Sequence, residues 1–301
     1  MPAKLMNRIR LAEAYLLKNP MPRGMPSDIT LELTNRCDLH CPMCPRDLCK
    51  RPIGDMDLEL LKDVLDQAVP GLEMSDLCLD GEPLLYPELE AALRILEDRG
   101  VKTYLQTTAL LLDRDKAEML LDSGLDAIVF SLDADTRETY EKVHGAGNIE
   151  IARNNISRFL EMRSNKGSSL SVTVQLVAQK MNSHEISAFK KRWANSTVDA
   201  VRIKPLNINY HNRPREGQLV PASNVFDKSA ALRCIRLWRS MTVLWDGTCV
   251  PCCYDFCGIA PIGDLKIQPL NDVWLGEKLV ELRTLHSSGR LEEIPLCREW
   301  Q

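Results

Sequence analysis

The chain has 301 residues, of which 45% are hydrophobic and 27% charged; this fits one large α/β domain or about two smaller ones and excludes disordered, collagen-like and coiled-coil chains. Lys and Arg number 38 against 42 Asp and Glu, a formal charge of −4, so the basic excess of a nucleic-acid-binding domain is missing, and the faint acidity suits a cationic small molecule. No apolar run approaches the ~18–20 residues of a membrane span, and the charged N-terminus lacks the apolar core of a signal peptide, so the chain reads as cytoplasmic.

Leu5, Ile9, Ala12 and Leu16 recur at helical spacing and predict an amphipathic helix within 1–26 that lies on the domain. From residue 27 the pattern alternates. Residues 29–33 read as a strand, and 57–69 as a helix with Leu58, Leu61, Val64, Leu65 and Ala68 on one face. A short strand at 77–79 runs into Asp80-Gly81-Glu82-Pro83. Then come a helix at 87–99 closed by Gly100, a strand at 102–107, and a helix at 113–123 closed by Gly124. A strand at 127–132, a helix at 148–163, a strand at 170–177, a helix at 183–194 capped by Ser183, and a strand at 201–205 follow.

Six strand–helix alternations predict a parallel sheet with right-handed crossovers. They are too few for the closed eight-stranded barrel. The fold expected is therefore α/β, a partial, open (β/α)6 TIM-like barrel over 27–228. Residues 207–227, with Pro214, Gly217 and Pro221, read as a linker or substrate-side loop. Residues 229–301 hold six cysteines and three tryptophans (Trp238, Trp245, Trp274) before Trp300. They read as a small C-terminal domain that needs a metal cluster because its core is thin.

Eleven cysteines are the anomaly of the composition. Cys37, Cys41, Cys44 and Cys49 form one group; Cys234, Cys249, Cys252, Cys253, Cys257 and Cys297 form another; Cys78 stands apart. In a reducing compartment such groups indicate metal binding rather than a disulfide framework. Cys37, Cys41 and Cys44 make a CxxxCxxC spacing in the loop after the first strand, at the carboxyl end of the sheet, where α/β sites collect. Three thiolates can hold three irons of a four-iron cluster and leave the fourth open for chemistry. A zinc ion completed by Cys49 or His40 is the other reading of that spacing. Beyond that, Cys49 and Cys78 read as packing residues.

This loop, followed by Gly81-Glu82-Pro83 after the second strand, resembles the radical S-adenosylmethionine (SAM) superfamily, and the resemblance spans most of the chain. It implies a [4Fe-4S] cluster on Cys37, Cys41 and Cys44 that binds SAM at its open iron. One electron, from a donor such as flavodoxin or ferredoxin, then splits SAM into methionine and a 5′-deoxyadenosyl radical that removes hydrogen from an unactivated carbon. The resemblance puts Met43 at the adenine and Gly81, Glu82 and Pro83 at the SAM amino group, with Asp80 standing where the family has glycine. It puts Thr107 near the ribose and Ser131 at a polar contact to SAM. His144, in Tyr140-Glu141-Lys142-Val143-His144-Gly145, stands where an arginine often pairs with the SAM carboxylate; a solvated helix-end histidine is its other reading.

Cys234, Gly247, Cys252-Cys253, Ile262-Gly263-Asp264 and Cys297 resemble the auxiliary-cluster domain of such enzymes, of the SPASM or shorter twitch type. The resemblance implies one auxiliary [4Fe-4S] cluster on Cys234, Cys252, Cys257 and Cys297. Cys253 is the rival of Cys257, because the family's closing Cys-x-x-Cys reads Cys297-Arg298-Glu299-Trp300 here. A structural zinc on the same residues is the alternative. Cys249 fits no ligand pattern; it reads as a buried small hydrophobe or as a hydrogen-atom donor.

The spare thiol is similar to that of radical SAM epimerases, the neomycin-type aminoglycoside epimerases among them. The function this implies is inversion of a sugar carbon of an aminoglycoside, with hydrogen taken from one face and returned by Cys249 to the other. The cationic sugar would be held by Asp80, Asp133, Asp246 or Asp255. A twitch-type dehydrogenase of an aminocyclitol alcohol is the alternative. Peptide modification ranks third, since no segment reads as a peptide-recognition domain. A non-enzymatic iron–sulfur protein would leave the Gly-Glu-Pro and Ser-Leu-Asp strand ends without a role. Neither nucleic acid nor membrane is expected as a partner.

Overall fold

The computed structural model describes residues 2–206 and 234–297; the expected linker at 207–227 and Trp300 lie outside them. Helix α1 (Ala3–Leu16) precedes β1 (Asp28–Leu31), α2 (Leu58–Ala68), β2 (Met74–Asp76), α3 (Leu89–Asp98) and β3 (Lys102–Thr107). Then follow α4 (Arg114–Asp122), β4 (Ala127–Ser131), α5 (Arg137–His144), α6 (Ile149–Lys166), β5 (Ser171–Ala178), α7 (Ile186–Ala194) and β6 (Ala200–Pro205). The C-terminal part carries α8 (Arg236–Arg239), β7 (Ser240–Val243), β8 (Thr248–Val250), β9 (Gly263–Asp264), α9 (Leu270–Trp274) and α10 (Glu277–Ser288).

All nine strands form one sheet in the order β6-β5-β4-β3-β2-β1-β7-β8-β9. Strands β1 to β6 run parallel to their neighbours. This is the expected partial (β/α)6 barrel. Local chemistry explains its elements. Asp57 caps α2 by accepting from the N–H groups of Glu59 and Leu60, which are otherwise orphaned at a helix start. Leu60, Leu61, Val64, Leu65 and Ala68 then lie buried at helical spacing against the outward side of the sheet, where Ile29 and Leu31 project.

Alternate residues on the strands face the other way. Asp28 and Thr30 on β1, Met74 and Asp76 on β2, Gln106 on β3 and Ser131 on β4 line the open lumen. Apolar positions thus face the helices, and the inner face is left mostly polar and unfilled.

Three expected elements differ. The second strand lies three residues earlier than 77–79, because Ser75 sits opposite Ile29 and donates to its carbonyl at 2.9 Å. Helix α1 packs through Asn7, Leu11 and Ala14, while Leu5, Ile9, Ala12 and Leu16 face outward. The Asn7 amide decides this: it donates to the carbonyls of Met25 (2.9 Å) and Gly71 (3.2 Å) and accepts from the N–H of Met25 (2.9 Å). Ser183 caps nothing. It opens a short 3-10 turn (Ser183–Glu185), and the buried Glu185 carboxylate accepts from Thr136 and Thr139 instead.

The C-terminal domain is joined to the barrel through the sheet and the core. Strand β7 pairs in parallel with β1 from Asp28↔Ser240 to Leu31↔Val243, and β8 and β9 add antiparallel ladders. Trp238, Met241, Val243, Ile262, Val273 and Trp274 belong to the same continuous apolar core as Ile29 and Leu61. The buried Arg283 on α10 donates to the carbonyls of Leu237 (2.8 Å), Pro20 and Trp274 (both 2.9 Å), with its guanidinium over the Trp274 ring. Burial holds its pKa down at about 9. Its bonds tie α10 to the segment preceding β1.

Candidate functional site

A cavity of about 700 Å³ opens at the carboxyl end of the sheet. Cys37, Cys41 and Cys44 all reach it from the loop after β1. Arg46 shapes that loop by donating to the carbonyls of Cys37 (3.2 Å) and Leu39 (2.5 Å). Gly145, at φ +71°, presses on the loop from α5, where a Cβ would stand 2.6 Å from the carbonyl oxygen of His40. Burial pushes the Cys37 thiol up to about 11. Burial and the nearby Asp80 charge push Cys44 up to about 12. Cys41 is raised further, by burial and by the other two thiols.

Three recessed thiolates that repel one another need a cationic centre, and iron relieves that cost. The residues therefore fit a cluster. The two groups that would complete a zinc site are engaged elsewhere. His40 pairs with Asp47 at 3.1 Å, and Cys49 is disulfide-bonded to Cys257. Among the described residues no three His, Cys, Asp or Glu side chains are grouped to hold a single metal ion.

The 80–83 turn packs hard under the loop. A Cβ on Gly81 would stand 2.2 Å from the carbonyl oxygen of Thr34, so only glycine allows this approach. The N–H of Glu82 donates to the Arg36 carbonyl at 2.7 Å. The Glu82 carboxylate accepts from the N–H groups of Leu84 (3.1 Å) and Thr108 (3.0 Å) and from the Thr108 hydroxyl (3.1 Å). Gly81 and Glu82 line the cavity; Pro83 is buried behind them at the start of a 3-10 turn. Asp80 is buried, with Oδ1 3.9 Å from the Cys44 sulfur and Oδ2 3.7 Å from Arg51. Arg51 in turn forks onto the fully buried Glu32 at 2.7 and 2.6 Å. Burial, with Glu32 adding to it, pushes Asp80 up to about 7.

Met43, Thr107, Ser131 and His144 line the same cavity. The Met43 sulfur accepts from Gln179 at 3.5 Å. The Thr107 hydroxyl oxygen accepts from the N–H of Ala109 at 3.1 Å, and Ala109 holds φ +63°. Ser131 donates to Asp133 at 2.9 Å, and Asp133, at φ +56°, also accepts from the N–H of Val177. His144 is buried rather than solvated. Its Nε2 lies 3.0 Å from the Leu132 carbonyl, an acceptor only, so Nε2 carries the proton and a bare Nδ1 faces the Cys41 sulfur at 3.2 Å. Burial lowers its pKa, against the pull of Asp133.

The second thiol group is partly as expected. Cys234, Cys252 and Cys297 are grouped, with Cys253 beside them: burial, then Cys253, Cys234 and Cys297, raise Cys252, and burial and Cys234 push Cys297 up to about 12. Cys257 is not with them. Asp255 accepts from the N–H groups of Ile259 and Ala260, both at 2.9 Å, and Gly258 takes φ +65°. This turn aims Cys257 at Cys49, with Cα atoms 4.9 Å apart. Cys49 is thus a partner in a cross-link across 208 residues, not a packing residue.

Cys249 does not line the cavity. On β8 it pairs with Val243, whose side chain faces the core, and it is fully buried there. Besides Cys37, Cys41 and Cys44, the thiols that line the cavity are Cys78 and Cys253, the latter accepting from Arg236 at 3.4 Å. Of the four carboxylates expected for substrate, Asp246 and Asp255 lie off the cavity wall as turn caps. Asp80 and Asp133 are on the wall and engaged as described. Asp76 was missed. It faces the lumen with its surface still exposed, accepts from the N–H of Cys78 at 3.2 Å, and is pushed up to about 6 by desolvation at the cavity wall, against the pull of Lys204 and Arg236. Its signal was the alternation of Met74-Ser75-Asp76, masked by the more apolar run that follows.

Residues 31–186 match the radical SAM superfamily, and residues 234–299 match an iron–sulfur cluster-binding domain of the SPASM type. The chain is 25% identical to the tungsten-containing aldehyde ferredoxin oxidoreductase cofactor-modifying protein of Pyrococcus furiosus, over 84% of this chain and 82% of that one. It is 26% identical to the PqqA peptide cyclase of Rhodopseudomonas palustris, over 62% of this chain and 48% of that one. Among solved structures, BtrN in complex with AdoMet and 2-DOIA shares the fold, with a TM-score of 0.62 at 17% identity over 91% of this chain and 92% of that one. Among the described residues no helix is long and apolar enough to cross a membrane.

Proposed function

Since the chain belongs to the radical SAM superfamily, we propose that it inverts one carbon of a small cationic sugar of the aminoglycoside type. SAM, a [4Fe-4S] cluster and an auxiliary iron–sulfur centre come with the two matched domains, and when bound they supply a radical able to take hydrogen from an unactivated carbon. Cys37, Cys41 and Cys44 hold the first cluster. Met43, Gly81, Glu82, Thr107, Ser131 and His144 shape the SAM end of the cavity, and Pro83 sets the turn behind them. Cys234, Cys252 and Cys297 hold the auxiliary centre.

The observation that carries this reading is the lumen beside the first thiol loop, whose wall sets polar and charged side chains among apolar ones. Its volume lies within the ~300–1,000 Å³ of small-molecule sites. Asp76 accepts one backbone N–H and shares the wall with Lys204 and Arg236, and its remaining oxygen is the carboxylate offered to an ammonium group of the substrate. The returned hydrogen comes from a thiol of the 248–257 segment: its S–H bond breaks as a C–H bond forms on the opposite face, and the thiyl radical left behind regains its S–H bond by taking one electron from the external reductant and one proton from solvent. Cys253 faces the cavity in this structure; Cys249 reaches it only if β8 turns its other face inward.

The test is incubation of the anaerobically rebuilt protein with SAM, a reductant and candidate aminoglycosides in heavy water. The epimerase reading expects one deuterium in a product of inverted configuration. It also expects either Cys249→Ala or Cys253→Ala to cleave SAM without inversion. Normal inversion by both variants removes the donor role from this segment. A ketone product without deuterium supports the second reading, a dehydrogenase of an aminocyclitol alcohol, which needs no donor thiol. The core position of Cys249 favours that alternative.

A further inference from the structure

We infer that His286 acts on the auxiliary centre as a fixed hydrogen-bond donor to the Cys297 sulfur, and so raises that centre's reduction potential. His286 lies in the last turn of α10 and is 2% exposed. Its two ring nitrogens meet two members of the thiol group. Nδ1 lies 3.4 Å from the backbone N–H of Cys234, and Nε2 lies 3.4 Å from the sulfur of Cys297. A backbone N–H only donates, so Nδ1 must be the acceptor. A neutral imidazole then carries its one proton on Nε2, aimed at the sulfur.

A ring held this way is a poor iron ligand through Nε2, because that nitrogen's lone pair is taken by the proton. It is a good donor. The other thiol group contains the opposite arrangement: His144 presents an unprotonated nitrogen to Cys41. The two histidines are therefore not interchangeable neighbours of sulfur. Donation to a ligating thiolate stabilises the more negative, reduced state of an iron–sulfur centre and lifts its potential. His286 is a positioning residue in this sense and touches no substrate.

The inference rests on the assignment of Cys234, Cys252 and Cys297 to the auxiliary centre, and the test separates the two. The anaerobically rebuilt full chain is titrated potentiometrically with and without SAM. The signal that SAM leaves unchanged is assigned to the auxiliary centre. His286→Leu is expected to move its midpoint to lower potential without changing iron and sulfide content. His286→Gln, whose amide N–H occupies the Nε2 position, is expected to bring it back toward the unmodified protein. In unmodified protein labelled with 15N-histidine, a weak nitrogen coupling to the auxiliary signal is expected. An unchanged midpoint in His286→Leu overturns the inference. So does a strong nitrogen coupling, which makes His286 a ligand. Iron for only one cluster in the unmodified protein overturns the assignment, and the inference with it.

Discussion

The two thiol groups hang from neighbouring strands and are built for different surroundings. Cys37, Cys41 and Cys44 face a cavity wide enough for small molecules, and their loop is held by backbone contacts to Arg46 and by glycines at 81 and 145. Cys234, Cys252 and Cys297 line no part of that cavity. Cys297 packs into a satellite core of Leu291, Ile294 and Leu296. Each group has one buried histidine, with the proton on the side away from sulfur in the first and toward it in the second. The difference teaches that spacing names the element while surroundings decide its use. An open face exchanges ligands, and a closed one holds charge.

The largest effect expected is from Cys44→Ala. A lost ligand costs more than the ~10–100-fold of a lost supporting contact, so 5′-deoxyadenosine formation should fall more than about 100-fold. Retained cleavage would break the comparison at its root. Next, Cys252→Ala should empty only the second group and leave SAM cleavage measurable. Cys257→Ser should change neither, since Cys257 is bonded to Cys49. Iron and sulfide counts on the three variants decide this, and a loss of iron in Cys257→Ser would return that residue to the ligand set.

A smaller effect is expected at the floor of the first group. Gly81→Ala places a Cβ 2.2 Å from a backbone oxygen and should cost about 1–3 kcal/mol, as overpacking does. A drop in thermal midpoint together with weaker SAM binding in an equilibrium titration is the expected pair. An unshifted midpoint means the turn yields more easily than its contacts imply.

The smallest is a pH effect in the lumen between the two groups. Desolvation at the cavity wall pushes Asp76 up to about 6 from an ordinary 3.8, and solvent at its exposed surface screens part of that shift. A carboxyl raised by folding favours the fold while protonated, so its contribution is complete below about pH 4 and lost as pH rises through about 6. Asp76→Asn should remove that slope, and thermal midpoints from pH 4.5 to 7 should run flatter in the variant. Parallel profiles would dismiss the lumen carboxylate as a perturbed group.

Much of the barrel was legible because its strands alternate and its helices carry one apolar stripe. Strand β3 was read at its full length. What was not legible depended on single polar groups meeting distant backbone. Asn7 turned α1 onto Leu11, against the more apolar Leu5 and Ile9. Ser75 drew β2 away from the run Leu77-Cys78-Leu79. The first thiol loop announced itself by spacing, since all three members lie within eight residues. The second was half hidden, because Cys49 and Cys257 are brought together across 208 residues and His286 is an isolated residue on a helix.

Strand β7 leads into the second thiol group and is hydrogen-bonded directly to β1, whose end leads into the first, through four aligned residue pairs. A ladder of peptide bonds behaves as a ruler rather than a hinge. An electron passing between the two centres therefore crosses a separation that substrate arrival can do little to stretch. Its rate should follow driving force and reorganisation energy, not a swinging of one part of the molecule against the other.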